Sequence, residues 1–169
     1  MADAIRWIAR RRVALGFACG VIAASLARPT RGSMLAGFAV AAIGEALRIW
    51  AAGHLEKGRE VTMTGPYRFT RHPLYLGSTI MGVGLAIAAH SVIVAALVLG
   101  YLGVTLAAAI SREEEHLTEK FGAAYPAYRD GVAQGEARRF SVRRAVKNRE
   151  YRALIGFFVA FALLALRLR

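Results

Sequence analysis

The sequence predicts an all-α fold, a polytopic membrane helical bundle with about five transmembrane helices. Three observations carry this. Of 169 residues, 56% are hydrophobic and the mean hydropathy is +0.40, more apolar surface than a soluble domain of this length can bury. Five apolar runs can be read along the chain. Basic residues gather at alternate gaps between those runs, as the positive-inside rule requires of a chain that crosses a bilayer repeatedly.

The first run, Val13 to Ala27, follows Arg6, Arg10, Arg11 and Arg12. With Ser25-Leu26-Ala27 at its end it imitates a signal peptide and cleavage site, but an uncleaved first span fits the charge alternation better. The second run, Ser33 to Ala52, meets the roughly 20 residues that a bilayer core asks of a helix. Inside it Glu45 and Arg48 lie at i and i+3, on one helical face, where intramembrane charge needs a partner or a watery cavity. The third run, Leu74 to Ala89, and the fourth, Val92 to Ile110, are separated only by His90-Ser91, which forces an antiparallel hairpin with His90 in the turn. The fifth, Ala153 to Leu168, is short like the first and third. Small residues at close helical spacing, Gly16 with Gly20, Ser78 with Gly82 and Gly84 with Ala88, read as packing surfaces.

If all five runs span, one side collects the N-terminal arginines, then Lys57, Arg59, Arg68 and Arg71, then ten Lys/Arg between Arg112 and Arg152. The other side holds Arg28, Arg31, Arg167 and Arg169. The protein is therefore expected in a membrane with its N-terminus and its polar loops cytoplasmic, as in a bacterial inner membrane or its equivalent. The net charge of +12 invites a nucleic-acid reading, but the tract Arg138 to Arg152 has no aromatic or motif framework. Contact with anionic membrane lipids explains it better. Cys19 is the sole cysteine, so no intrachain disulfide exists. The chain reads as one domain over residues 1–169, its motif core at about 45–128 and a basic tract with a hydrophobic helix at 138–169.

Chemistry concentrates in two stretches on the basic side. In "TGPYRFTRHPLYLG", Gly65-Pro66 marks a turn and Pro73 suits the first position of a helix, leaving His72 near its N-cap. The amide groups of that helix start, with Arg71 and His72, make donors for a carboxylate or phosphate, and Gly77 permits close approach. In "SREEEHLTEKFGAAYPAY", helical spacing turns Glu113 and Glu114 inward among Leu106, Ile110, Leu117 and Phe121, and leaves Glu115 and Glu119 wet. Gly122 stops that helix, and Tyr125 and Tyr128 follow around Pro126, able to cover a site. An anion-binding turn beside two inward carboxylates suits a ligand carrying both amino and carboxylate groups. His54, His72, His90 and His116 lack ligand-like spacing, and no metal site is expected.

Together "GPYRFTRHPLYLG" and "EEEHLTEKFGAAYPAY" resemble the isoprenylcysteine carboxyl methyltransferase family and its phospholipid N-methyltransferase relatives, over about Glu45 to Tyr128. The resemblance implies a cofactor pocket at the cytoplasmic end of the bundle, S-adenosyl-L-methionine as methyl donor, and a lipophilic or lipidated acceptor arriving from the bilayer. It implies cofactor contacts from Tyr67, His72, Pro73, Leu74, Tyr75, Gly77, Glu114, Tyr125 and Tyr128. It makes Glu113, Glu114, Arg71 and Arg48 the candidates for catalysis and acceptor orientation. An isoprenylcysteine carboxylate would need no base, whereas a phosphatidylethanolamine-type ammonium would need a glutamate to take its proton. An NADPH-dependent sterol-reductase-like enzyme and a non-catalytic membrane module are the other readings. The basic tract with its fifth run, and the short loop before Gly65, depart from the prenylcysteine pattern and leave the C-terminus as an anchor or an influence on acceptor access.

Overall fold

The computed structural model describes residues 16, 18–131 and 138–168. The N-terminal arginines, most of the signal-like start, and Arg169 lie outside them. Residues 18–26 are helical, followed by α1 (Arg31–His54), a 3₁₀ turn (Gly65–Arg68), α2 (Pro73–Ala89), α3 (Val92–Phe121), α4 (Ala124–Arg129), α5 (Val142–Lys147) and α6 (Tyr151–Ala165). The described residues include no strand.

Among the described residues two helices, α1 and α3, are long and apolar enough to cross a membrane. At 17 and 15 residues, α2 and α6 are shorter apolar helices, each about 25 Å long or less at 1.5 Å per residue. The exterior is what a lipid solvent favours. Along α3 only Val94 is buried, and Val92 at 86% exposure and Ile93 at 66% stand outward, as Leu35 does from α1 at 74%.

The start of α1 is closed by a reciprocal cap: Ser33 N donates to Thr30 Oγ1 at 3.1 Å, and Thr30 N donates to Ser33 Oγ at 3.0 Å. Its other end leaves carbonyls that the helix cannot satisfy. The C-terminal segment satisfies them. Asn148 Nδ2 donates to the carbonyls of Ala52 and Leu55, both at 2.9 Å, while Arg144 Nε (2.8 Å) and Ser141 N (3.1 Å) donate to that of Gly53. Arg138 pairs with Glu60 at 2.6 Å and Arg144 with Glu56 at 3.8 Å. Part of the basic tract, read from sequence as a lipid contact, is thus engaged within the protein. Asn148→Ala is expected to lower stability by about 1–3 kcal/mol, because two acceptors lose their donor in a part-buried place, and thermal unfolding in detergent reads this directly.

Helices α1 and α2 make the main contact, through small residues. A side chain added at Gly44 would come within 2.6 Å of the Gly77 carbonyl, and one added at Gly77 within 2.7 Å of the Gly44 carbonyl. Gly37 and Ala41 meet Gly84 and Ala88 in the same way. The expected packing is therefore present at Gly84 and Ala88, at Gly82 against Leu102 and at Gly16 against Tyr101, whereas Ser78 meets Arg48 and a Cβ added at Gly20 has nothing within 4 Å. The α2–α3 hairpin turns at His90, in the left-handed region with φ 48°, and at Ser91, the N-cap of α3.

The fifth run does more than anchor. Phe157, Phe161 and Leu164 of α6 join Ala41, Ala88, Ala89 and Val94 in the core. Phe38 of α1 stacks on Phe157 and Phe161 with ring centroids 5.2 Å apart in each case.

Candidate functional site

A cavity of about 360 Å³ opens where α1 ends, α2 begins, and the polar ends of α3 and the C-terminal segment meet. Local sequence explains how its walls are set. Gly65 adopts φ 60°, and a Cβ there would fall within 2.6 Å of His54 Nδ1, so the turn can press onto α1 only with glycine. Pro66 starts the 3₁₀ turn that buries Tyr67. Thr62 Oγ1 accepts from Glu56 N at 3.1 Å and draws the preceding loop together. Pro73 occupies the first turn of α2 with His72 as N-cap, so Arg71 and His72 stand at the helix mouth.

The apolar part of α3 ends at Ile110, and its polar end brings the carboxylates to this mouth. Glu114 Oε1 lies 2.9 Å from His72 Nε2 and 3.2 Å from Arg71 Nη1. The hydrogen bond from His72, and then the Arg71 charge, hold the Glu114 carboxyl below its ordinary value. Glu113 is half-buried on the cavity wall, and Glu115 is exposed.

Gly122, at φ 51°, ends α3, and α4 folds back to place Tyr125 and Tyr128 on the cavity. The Tyr128 hydroxyl donates to the Tyr67 carbonyl at 2.6 Å. Burial, and then the nearby Glu114 charge, push Tyr125 up to about 12. Burial also raises Tyr128, and it raises Tyr67 with help from the charges of Glu113 and Glu150. All three phenols are therefore neutral hydroxyls at physiological pH, that of Tyr128 spent on the Tyr67 carbonyl.

Of the residues expected from sequence, Tyr67, Arg71, His72, Pro73, Leu74 and Tyr75 line this cavity from the loop and α2. Arg48, Glu113, Tyr125 and Tyr128 line it from the other helices. Glu114 does not line the cavity and meets it only through Arg71 and His72. Gly77 is a different case: its missing side chain leaves room for Arg48 Cγ and the Gly44 carbonyl, so its role is helix packing and it does not line the cavity. Sequence reading missed Ser78, Asn148 and Glu150, which also line it. A trace of Glu150 was legible, since it is the one acid between Arg138 and Arg152.

Arg48 has a crowded setting. Its Nε lies 2.7 Å from Glu150 Oε1 and 3.7 Å from Glu45 Oε2, while Nη1 donates to the Leu74 carbonyl at 3.3 Å and to Ser78 Oγ. Among the described residues no group of three His, Cys, Asp or Glu side chains gathers to hold a metal ion.

A family model described as phospholipid methyltransferase matches residues 22–124, more than half of the chain. The chain belongs to this family. Membership brings a membrane methyltransferase domain and implies S-adenosylmethionine as the methyl donor. The chain is also 34% identical, over 86 residues, to the nickel-cobalt-cadmium resistance protein NccN of Alcaligenes xylosoxydans xylosoxydans. That alignment takes 50% of this chain and 38% of NccN, so the chain spans about two fifths of that relative. No solved structure matches. The family match stops before Tyr125, so Tyr125, Tyr128, Asn148 and Glu150 bring the cavity wall from beyond it.

The lowered proton affinity of the Glu114 carboxylate has a consequence for stability. A carboxyl whose folded value is lowered contributes fully above its unfolded value of about 4.3, and the contribution is lost as pH falls through the folded one. The melting temperature of the wild type should therefore exceed that of Glu114→Gln at neutral pH, and the gap should narrow as pH falls below about 4.3 and close as it falls through the lower folded value. Thermal unfolding of both proteins across that window is the check, and a gap that persists at the acid end would contradict it.

Proposed function

We propose that the cavity is the methyl-transfer site of an S-adenosylmethionine-dependent enzyme acting on a lipophilic acceptor at the membrane surface. The observation that carries this is the convergence of Arg71, His72, Glu113 and two buried tyrosines on one cavity at the polar end of apolar helices, with Glu114 holding Arg71 and His72 from outside the lining. A volume of about 360 Å³ is in the range of small-molecule sites. The donor set also fits a zwitterionic nucleoside: cations and helix amides for a carboxylate, carboxylates for an amine, neutral phenols for hydroxyls.

The donor supplies a methyl group on a cationic sulfur, ready for in-line displacement. Arg71 and His72 hold its carboxylate end, with Glu114 steering their orientation. Tyr67, Tyr125 and Tyr128 exclude water at the cover. Leu106 and Leu117 of α3 give the apolar side along which an acceptor chain reaches in from lipid. The clustering of Lys57, Arg71 and the basic tract at this end supports a cytoplasmic site.

For the acceptor, the family match and the state of Arg48 both favour a lipid amine of the phosphatidylethanolamine type over an isoprenylcysteine carboxylate. Arg48 and Arg71 are the residues expected to orient an acceptor carboxylate or phosphate, and Arg48 is already engaged by Glu150 and Glu45. Glu113 then accepts the ammonium proton so that the nitrogen lone pair is free to form the new bond to carbon. Transfer of labelled methyl from S-adenosylmethionine to phosphatidylethanolamine vesicles, with a farnesylcysteine analogue in parallel, tests this. Labelling of the vesicle lipid supports the amine reading, labelling of the analogue alone supports the carboxyl reading, and labelling of neither counts against both.

A further inference from the structure

Glu150 differs from the other carboxylates of the site. It comes from beyond the family match, delivered by a segment whose bonds to Ala52, Gly53 and Leu55 fix it on the end of α1. Arg149 turns the chain at φ 62°, and Glu150 follows it onto the cavity wall. It is 7% exposed there. Its Oε1 forms an ion pair with Arg48 but lacks the geometry of a hydrogen bond, so its lone pairs are unspent. Beside the same guanidinium Glu45 is 3% exposed, with neither carboxylate oxygen hydrogen-bonded. Two buried carboxylates thus share the positive charge of Arg48.

The cavity is consequently polarised. Arg71 and His72 draw a carboxylate to one rim, and the wall at Glu150 is left with negative charge that Arg48 only partly balances. We infer that Glu150 is a specificity residue that makes this inner wall the seat of a cationic centre, the sulfonium that the methyl donor carries and its thioether product lacks. A sulfonium has no proton to donate, so it asks for unscreened negative charge and not for a hydrogen-bond acceptor in strict alignment. Glu150 offers that charge. At about 360 Å³ the cavity is also near the lower end of ligand-site volumes, so a ligand that fills it meets Glu150. The consequence is a preference for donor over spent product, which helps the product leave. This rests on the methyl-transfer reading of the cavity.

The test needs no acceptor. Calorimetry on the full chain in detergent measures S-adenosylhomocysteine, which is neutral at sulfur, and sinefungin, which places an ammonium at that position. Wild type should prefer sinefungin by about tenfold, well below the full worth of one close charge pair at an effective dielectric near 20, because Arg48 offsets most of the Glu150 charge. Glu150→Gln should bring the two affinities together while S-adenosylhomocysteine binding stays within about twofold, and Glu150→Asp should keep the preference. Equal weakening of both ligands in Glu150→Gln would make Glu150 a clamp on the C-terminal segment and overturn the inference. So would a wild type that binds both alike, a result that holds even if the variant fails to fold. Wild type binding neither ligand would instead overturn the methyl-transfer reading, and this inference with it.

Discussion

Replacing His72 by Ala is expected to weaken S-adenosylhomocysteine binding by roughly ten- to a hundredfold, the worth of a hydrogen bond to a charged group. His72 is the N-cap of α2, and its Nε2 holds Glu114 at 2.9 Å. The variant loses a donor at the helix mouth and also frees Glu114 to pair with Arg71 alone, leaving Arg71 less able to meet a ligand carboxylate. Glu114→Gln should weaken binding in the same direction, since it releases both Arg71 and His72 from their set positions. Glu115→Gln, one residue along on the exposed face, should change little. Calorimetry on the four proteins decides it. Equal losses at Glu114 and Glu115 would mean that the charge of the helix end matters and the inward face does not.

Gly84→Ala should be among the most damaging single methyl groups in the α1–α2 contact. A Cβ there would stand 2.6 Å from Ala41 Cβ, with the backbone of α1 as close. Neither helix can yield locally, because α1 is also pinned at its far end by Asn148 and Arg144. Overpacking costs about 1–3 kcal/mol where side chains can move, and backbone contact places this site at or above the upper figure. Gly100→Ala is the matched control: nothing lies within 4 Å of its new methyl, and better helix propensity should stabilise it by about 0.5–1 kcal/mol. Thermal unfolding of both in detergent reads the contrast, and similar melting temperatures for the two would contradict a close α1–α2 contact.

The helices were legible because apolar runs and their punctuation are local properties. Pro73 at the start of α2, the His90-Ser91 turn and Gly122 at the end of α3 all act where they stand in the chain. The inward lean of Glu113 and Glu114 was legible for the same reason, as helical spacing is set by the residues on either side. The length of the spans was less so: five runs were expected to cross, and among the described residues two helices have the length and composition to do so. Gly77 was read as a place for a ligand because a missing side chain looks the same whether a cofactor or a neighbouring helix occupies the space.

Sequence alone therefore determined the helical class, the turns, the motif residues at the polar end, and the family to which they belong. Only the tertiary structure decided what Arg48 faces and what the C-terminal segment does. Glu150 lies about a hundred residues from Arg48 in the chain, and no local period links them. The ion pair exists because Asn148 and Arg144 find unsatisfied carbonyls at the end of α1, while Phe157 and Phe161 find an apolar face on Phe38. Such pairing depends on long-range shape and on which polar groups the helices leave unpaired, quantities that appear only once the chain has folded.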